Sequence, residues 1–335
     1  MRPSSNNRCH RQNEGFVLVT VIWILAILTV ITLGFSHRAM MERRAAWYGM
    51  DQAQARGMAR GAIQRAILEL RNKQMLDTYR DPGWYTSPRS APYTAYNQRW
   101  SRRINLMNEA RYFAPVEGAQ SGDDICTYTI SDCSARISLN DAPRELFESI
   151  DELDFQLIGA ILARRDAANF RQQPYRFVTV DEVLTLEEGS NIDYTSWMGE
   201  GNSDGLRSLF TVWSDPNDGL INVNTASLGV LERIPELDES VLTRIIEYRV
   251  GADGIPYTGD DRAFRSLDTM SKQLEISYES LDPIRKYCKT DSRLFRITAH
   301  ATRRRGTINA FCTVVVELQG NDAIIKDWKE GFRAS

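Results

Sequence analysis

Histidine and the usual catalytic signatures are scarce or missing in this sequence of 335 residues. Only three histidines occur. His10 and His37 flank an apolar segment, which leaves His300 as the one candidate general base elsewhere. The sequence contains no nucleophile elbow, HExxH motif, P-loop or GxGxxG turn, and its carboxylates are ordinary in number. We therefore expect a protein that is not an enzyme.

Cysteine pairs at metal-binding spacing and a strong net charge are also lacking. Cys9, Cys126, Cys133, Cys288 and Cys312 show no CxxC spacing and have no histidines at ligand distance, which argues against a zinc module. The sequence does not decide whether these cysteines form disulfides or are free buried thiols. With 41 basic and 44 acidic side chains, the chain has no overall attraction for nucleic acid.

One long hydrophobic run is present near the N-terminus. The segment from Phe16 to Phe35, FVLVTVIWILAILTVITLGF, carries no charge in twenty residues. A helix of this length roughly matches the ~30 Å hydrocarbon core of a membrane. Three arginines and a single acid precede the run, which predicts a cytoplasmic N-terminus and the bulk of the chain outside. A cleaved secretory signal and a plain signal anchor are the alternatives, but the run is long for a signal and no A-x-A-like site follows.

The start of this run resembles a type IV prepilin leader. Gly15 separates a polar leader from Phe16, where the apolar segment begins abruptly. The resemblance implies that a prepilin peptidase cuts after Gly15 and that Phe16 becomes a methylated N-terminus. Most pilins carry glutamate at the fifth mature position, where this chain has Thr20. In that family the carboxylate is taken to pair with the N-terminal amine of a neighbouring subunit, so its absence suits a subunit with no neighbour above it.

The segments after the apolar run predict a long helix, loops and then strands. Residues 38 to about 72 are rich in alanine and free of proline, which is typical of a pilin stem and equally of an ordinary amphipathic stalk. Prolines and turn residues predict loops over 81–123. Strands are predicted over 125–130 and 135–139 with a turn at 131–134, and a hairpin over 295–302 and 308–318.

The middle of the chain contains an internal repeat with an offset of 84 residues. Each copy predicts a turn or short strand, a helix capped by Asn or Asp, and a second helix. The helical strings are NDAPRELFESI and FQLIGAILARR in the first copy, and NTASLGVLERI and ESVLTRIIEYR in the second. The identical positions are Ile137/Ile221, Asn140/Asn224, Ala142/Ala226, Ile150/Ile234, Glu152/Glu236, Leu153/Leu237, Asp154/Asp238, Ile161/Ile245 and Arg165/Arg249.

The second copy resembles a helix-hairpin-helix unit, and some such units bind DNA. That chemistry needs a glycine-rich hairpin whose N–H groups approach a phosphate. The hairpins here read IDELD and IPELD, so they lack glycine, and their acids Glu152, Asp154, Glu236 and Asp238 repel phosphate. We expect a structural or protein-binding role and no nucleic acid partner. A membrane-anchored protein for DNA binding or uptake is the alternative.

Taken in order, these features resemble GspK, the minor pseudopilin K family of type II secretion systems. The resemblance rests on the prepilin-like helix without the fifth glutamate, the two helical modules between β segments, and the strings ARISLNDAP and GLINVNTA. It covers roughly Gly15 to Leu318. The resemblance implies an α+β fold, with a pilin-like N-terminal transmembrane and stem helix, an antiparallel sheet, and an inserted α-helical region of two helix-hairpin-helix (SAM-like) modules.

The same resemblance implies a role and a location. The protein is expected at the tip of the periplasmic pseudopilus, nucleating its assembly for export of folded proteins, with minor pseudopilins I and J and the prepilin peptidase as partners. It is expected in the inner membrane, crossing it once, with its C-terminal domain in the periplasm. A minor pilin of a type IV pilus is the alternative within the same class.

Calcium is a further implication of this resemblance. The loop GADGIPYTGDD, residues 251–261, offers oxygen ligands from Asp253, Thr258, Asp260 and Asp261, and its glycines allow the chain to wrap around an ion. A solvated turn rich in Asp and Gly is the alternative. A second acidic turn, SDPNDG at 214–219, is a weaker candidate.

The sequence is divided on these grounds into eight segments. They are the prepilin leader 1–15, the transmembrane helix 16–35, the stem helix 36–75, the connector and first strands 76–139, the first helical module 140–205, the second helical module with the candidate calcium loop 206–285, the C-terminal strands 286–320 and a tail 321–335.

Overall fold

A computed structural model of the chain describes residues 11–71, 94–95, 104–105, 124–167, 174–200, 204–215, 218–254, 260–304, 306–319 and 322–333. The chain divides into two compact units, one up to Ala55 and one from Arg56 onward. A single helix, α1 (Arg11–Arg71), begins in the first unit and ends in the second. The predicted transmembrane segment 16–35 and the described part of the predicted stem segment, 36–71, therefore lie in one helix.

The described part of the first unit, residues 11–55, consists of α1 alone and includes its apolar segment. Every large apolar side chain from Phe16 to Phe35 is exposed, from 46% at Val21 to 72% at Phe16. Threonine hydroxyls within this segment donate to carbonyl oxygens of their own helix, as Thr29 does to Leu25 at 2.7 Å. This helix is long and apolar enough to cross a membrane, and the threonine hydroxyls within its apolar segment are satisfied without water.

The described part of the second unit is built on a five-stranded antiparallel sheet, whose strands lie side by side in the order β1 (Ile104–Asn105), β2 (Ile125–Asp132), β7 (Leu294–Arg303), β8 (Ile308–Gln319) and β9 (Asp322–Arg333). The predicted C-terminal hairpin is confirmed as β7 and β8, in which Ile297 lies opposite Val314. The helices between β2 and β7 and the sheet together confirm the predicted α+β class.

The C-terminal part of α1 packs on one face of this sheet. Ala59, Ala62 and Ala66 are buried at helical spacing, and their small side chains let the helix approach the strands closely. Ile63 and Leu70 fill the remaining space. The sheet side chains in this core are Cys126, Tyr128, Ile130, Phe295, Ile297, Ala299, Ala301, Cys312, Val314 and Val316.

Two helical modules are inserted between β2 and β7, and they share one apolar core. Each is closed by a two-residue parallel strand pair at its ends. The first module comprises β3 (Ile137–Ser138), α2 (Arg144–Glu148), α3 (Phe155–Asp166), α4 (Tyr194–Met198) and β4 (Phe210–Thr211), with 3-10 helices at Val180–Thr185, Glu188–Asn191 and Leu206–Leu209. The second comprises β5 (Ile221–Asn222), α5 (Leu228–Leu231), α6 (Glu239–Val250), α7 (Leu267–Leu274), a 3-10 helix Glu279–Leu281, α8 (Asp282–Tyr287) and β6 (Cys288–Lys289).

Two segments differ from the sequence-based description. The strand expected over 135–139 does not pair with β2, because Cys133–Ala135 forms a 3-10 helix and β3 pairs instead with β4. The segment 321–335, described above as a tail, contributes β9 along the edge of the sheet. Most side chains of β9 are exposed or half-buried, so the strand carries little of the apolar alternation that identifies strands.

Candidate functional site

The N-terminal junction is the first candidate site. Gly15 and Phe16 both lie within α1. The Thr20 hydroxyl donates to the carbonyl oxygens of Phe16 and Val17, at 3.2 and 2.9 Å. Position 20 is therefore neutral, and its donor is used within its own helix. Cleavage between Gly15 and Phe16 stays a prediction.

Polar contacts of β9 hold the C-terminal part of α1. The Arg60 guanidinium donates to both carboxylate oxygens of Glu330, with Nε–Oε2 at 2.8 Å and Nη2–Oε1 at 2.6 Å. These hydrogen bonds lower the pKa of Glu330 to about 2. The Arg56 guanidinium also lies over the Phe332 ring, 5.0 Å from its centre. The last strand thus fixes the stem helix to the sheet.

The internal repeat places the same asparagine in the same structural role in both modules. Asn140 accepts a hydrogen bond from the Phe177 N–H at 2.8 Å and donates to the Phe177 carbonyl at 3.0 Å. Asn224 makes the same pair with Phe264, at 2.8 and 2.9 Å. Both asparagines are buried, so each satisfies a backbone segment that has no strand partner there. The predicted helix-capping role is wrong for these residues, because the helices begin after Pro143 and Ser227.

The acidic hairpins cap the second helix of each module. The Asp154 carboxylate accepts from the Gln156 N–H at 3.3 Å, and the Asp238 carboxylate accepts from the Ser240 N–H at 2.7 Å. Hydrogen bonds from Ser240 lower the pKa of Asp238. These N–H groups at a helix N-terminus are the ones that a phosphate would need. Here carboxylates already occupy them.

A buried carboxylate, Asp132, joins the sheet to the second module. Its Oδ1 accepts from the Ser134 N–H at 2.8 Å. Its Oδ2 accepts from Asn222 Nδ2 at 2.9 Å, Thr225 Oγ1 at 2.6 Å and Ser292 Oγ at 2.7 Å. Burial raises the pKa of Asp132, while the four donors oppose that shift. The network links the end of β2, the turn that follows β5 and the start of β7.

The acidic turn at 214–219 is paired with a lysine side chain of the same chain. Lys289 Nζ lies 2.7 Å from Asp215 Oδ2 and 2.8 Å from Asp218 Oδ2. The Asp215 carboxylate also accepts from the N–H groups of Arg293 and Leu294, at 3.0 Å each at the nearest oxygen. The lysine ammonium neutralises the negative charge that would attract a metal ion. We therefore interpret these contacts at the start of β7 as structural.

The predicted calcium loop is described only in part. Thr258 lies outside the described residues. The Asp260 Oδ2 accepts from the N–H groups of Ala252 and Asp253, at 2.7 and 3.1 Å. Gly251, at the end of α6, has φ +72°, and an added Cβ there would lie 2.5 Å from Asp260 Oδ2. Asp260 thus already organises the turn, and whether Asp253, Asp260 and Asp261 also bind calcium stays a prediction.

The four cysteines that the structure describes, Cys126, Cys133, Cys288 and Cys312, are buried free thiols. Burial raises the pKa of Cys126 to about 11, that of Cys133 to about 12 and that of Cys312 to about 11. The pKa of Cys288 is raised for the same reason. Thiols with raised pKa values are poor nucleophiles and poor metal ligands at neutral pH. Of the two states left open by the sequence, free thiols are the one observed.

No protein-family model matches the chain, and no curated protein matches it in sequence. A solved structure does resemble it. This is the GspK-GspI-GspJ complex of the type II secretion system from enterotoxigenic Escherichia coli, of which one chain aligns with a TM-score of 0.48 and 12% sequence identity. The alignment covers 88% of this chain and 99% of that chain.

Several residues that organise the inserted region were not found by sequence reasoning. Asp132, Ser292 and Lys289 lie in no recognisable motif, and their partners are distant in the chain. Ser292, for example, is 160 positions from Asp132. The one usable signal was the repeat, because Asn140 and Asn224 recur at the fixed offset and carry the same contacts.

Proposed function

We propose that this chain is a minor pseudopilin of a type II protein secretion system, located at the tip of the periplasmic pseudopilus and nucleating its assembly. In this proposal a prepilin peptidase removes residues 1–15, and Phe16 becomes the mature N-terminus. The protein crosses the inner membrane once, with its C-terminal domain in the periplasm. Its role is structural rather than enzymatic.

One observation carries the proposal. A single helix exposes an uncharged apolar surface over its first part and packs on an antiparallel sheet with its last part. Such a helix can anchor the protein in a membrane and also supply an assembly surface. The junction of Gly15 with Phe16, at the start of the apolar run, is where the prepilin resemblance implies cleavage.

Two further features support a terminal position in the assembly. Thr20 replaces the usual glutamate with a neutral group that is satisfied within its own helix, so a charge pair with a subunit above is not required. The two inserted modules add bulk between β2 and β7. A subunit with this bulk suits the end of a filament better than its shaft. The partners we propose are minor pseudopilins I and J.

The hairpins of the modules favour a protein-binding role over DNA binding. Asp154 and Asp238 cap the helix N-termini that would otherwise bind phosphate, and both hairpins are acidic. DNA binding would require basic hairpins and an affinity that falls steeply with salt. We therefore include no nucleic acid among the proposed partners.

Calcium binding in the 251–261 loop belongs to the same proposal. Asp253, Asp260 and Asp261 would supply carboxylate ligands, and Thr258 a further oxygen. Within the described residues no group of three or more His, Cys, Asp or Glu side chains has metal-binding geometry. The support is therefore the ligand chemistry of the loop and the turn that Asp260 already closes.

The deciding experiment is the intact mass of the protein from cells with and without a prepilin peptidase. We expect residues 1–15 to be lost only when the peptidase is present, with or without one methyl group on Phe16. An uncleaved chain, or cleavage elsewhere by a signal peptidase, would contradict the proposal.

A second experiment addresses the partners. The processed chain, coexpressed with minor pseudopilins I and J, is expected to copurify with both in neutral detergent. The matched control is the same coexpression without the peptidase. Recovery of the processed chain alone would contradict the assembly role while leaving the cleavage result intact.

A further inference from the structure

The second helical module carries an apolar groove between α5 and α6. The groove has a volume of about 550 Å³. Leu228 and Leu231 line it from α5, and Leu242 and Ile246 line it from α6. Leu228 is 49% exposed. A concave apolar surface with an exposed leucine at its margin has the character of a helix-binding groove.

Three glutamates, Glu232, Glu239 and Glu247, border this groove. All three are exposed, and none forms an ion pair with another residue in the part of the chain that the structure describes. Glu239 and Glu247 stand about 12 Å apart along the α6 axis, which is roughly two helical turns. The groove is thus apolar along its floor and uniformly acidic along its border.

The first module provides an internal comparison, because it has the corresponding helices with different residues at these positions. Phe155 and Arg144 occupy the positions that Glu239 and Leu228 have in the second copy. The Arg144 guanidinium lies 5.3 Å from the centre of the Phe155 ring, and its Nε lies 2.6 Å from Glu148 Oε1. Glu148 is the counterpart of one border glutamate. In the first copy that acid is therefore paired, and the guanidinium lies over the aromatic ring.

We propose that this groove binds a basic amphipathic helix of a partner protein. Apolar side chains at i, i+3 or i+4, and i+7 of the partner fill the floor. Lysines or arginines about two turns apart then meet Glu239 and Glu247, which gives the contact its orientation and its preference for a basic partner. The groove lies entirely in the second module, so the inference does not depend on the secretion role proposed above.

The test uses the full chain in neutral detergent and three labelled synthetic helices that share one apolar face. The first carries lysines two turns apart beside that face, the second carries glutamates there, and the third carries the lysines on the opposite side. Fluorescence anisotropy, with detergent alone as the blank, is expected to show binding of the first helix about tenfold or more tighter than the other two. Added salt should weaken that binding.

Two variants assign the binding to the groove. L228R/E239F installs the arginine and phenylalanine that the first module already accommodates at these positions, so the fold is expected to survive. E232K/E247K reverses two border charges and spares Glu239, whose charge favours the first turn of α6. Both variants should weaken binding of the lysine helix about tenfold or more. E232K/E247K should also bind the glutamate helix in its place.

The matched control is E200K/E275K, which makes the same change in charge at two exposed positions outside the groove and should leave affinity unchanged. Thermal unfolding of each variant verifies the fold. Absence of binding of the lysine helix to the unaltered chain, equal binding of the lysine and glutamate helices, or unchanged affinity in both groove variants would overturn the proposal. Self-association that disappears in the groove variants would assign the groove to a second copy of the chain and overturn it as well.

Discussion

Asp132 illustrates how one buried side chain can hold distant parts of this chain together. Its carboxylate is 4% exposed and accepts four hydrogen bonds, from Ser134, Asn222, Thr225 and Ser292. Those donors belong to the end of β2, the β5 turn and the approach to β7. A buried carboxylate is costly unless every lone pair is used, and here the donors supply that compensation.

Asp132→Asn is expected to destabilise the second unit by about 2–4 kcal/mol, because the new amide group would face hydrogen-bond donors in a buried site. Urea unfolding of the full chain in detergent measures the change. Asp151→Asn, on an exposed hairpin, is the control and should cost little. A cost of Asp132→Asn no greater than that of the control would refute the structural role.

Glu330 determines a pH dependence of stability. Its pKa falls from 4.5 to about 2 in the folded protein because of its hydrogen bonds with Arg60. Since the folded pKa is the lower one, the pair stabilises the fold above pH 4.5, and that contribution is lost as pH falls toward about 2. Glu330→Gln should therefore be less stable than the parent near neutral pH and approach it near pH 2. Parallel urea titrations measure this, with Glu200→Gln as the control; a difference that does not change with pH would contradict the assignment.

At the scale of elements, α1 depends on small residues where it meets the sheet. Ala62 and Ala66 are fully buried, and alanine also favours the helix itself. The same residues thus satisfy local propensity and tertiary packing. The helix keeps its register on the sheet because larger side chains at these positions would separate the two.

Ala62→Leu is expected to destabilise the second unit by about 1–3 kcal/mol, because three extra carbons must enter a packed interface. Gln64→Leu adds the same side chain on the exposed side of α1 and should be close to neutral. Urea unfolding distinguishes the two variants. Equal effects would mean that the interface is not closely packed.

The two modules are copies at the level of elements as well as of residues. In each copy a parallel strand pair closes the module, an asparagine bonds both backbone groups of a phenylalanine, and an arginine donates to the carbonyl of an alanine at 2.7 Å. What differs is the outer surface of their helices. The shared contacts keep the fold, which leaves the outer faces free to diverge.

At the scale of the whole molecule, the chain combines an exposed apolar helix with a folded unit that carries an insertion. Calcium, if bound as proposed, would stabilise the folded unit by mass action. At a calcium concentration one hundredfold above Kd the expected gain is about 2.7 kcal/mol. Thermal unfolding of the processed chain with calcium, with magnesium and with a chelator measures it.

Asp261→Asn is the variant for that experiment. Asp260 is less suitable, because its carboxylate accepts hydrogen bonds within the turn and its replacement would disturb the fold even without calcium. We expect the calcium-dependent rise in unfolding temperature, measured for each protein relative to its own value in chelator, to be smaller for Asp261→Asn than for the parent. A parent chain with no calcium-dependent shift would remove calcium from the proposed function and leave the anchor and the assembly role unaffected.

The sequence by itself determined the features that depend on local pattern. Phe16 to Phe35 define an apolar helix because an uncharged run of that length has few other stable forms. Alternation over 295–302 and 308–318 defines a hairpin, and the 84-residue offset reveals two modules before any contact is known. These signals are periodic and local, so they can be recognised without knowing which residues contact one another.

Tertiary structure alone decided the pairings that link distant residues. β3 pairs with β4 instead of folding back on β2, because closing the module buries a core that a local hairpin could not bury. β9 is recognisable only as the neighbour of β8, since its own side chains are largely exposed. The four donors to Asp132 and the groove beside Leu228 likewise come from segments that only the fold brings together. No periodicity in the sequence predicts these contacts.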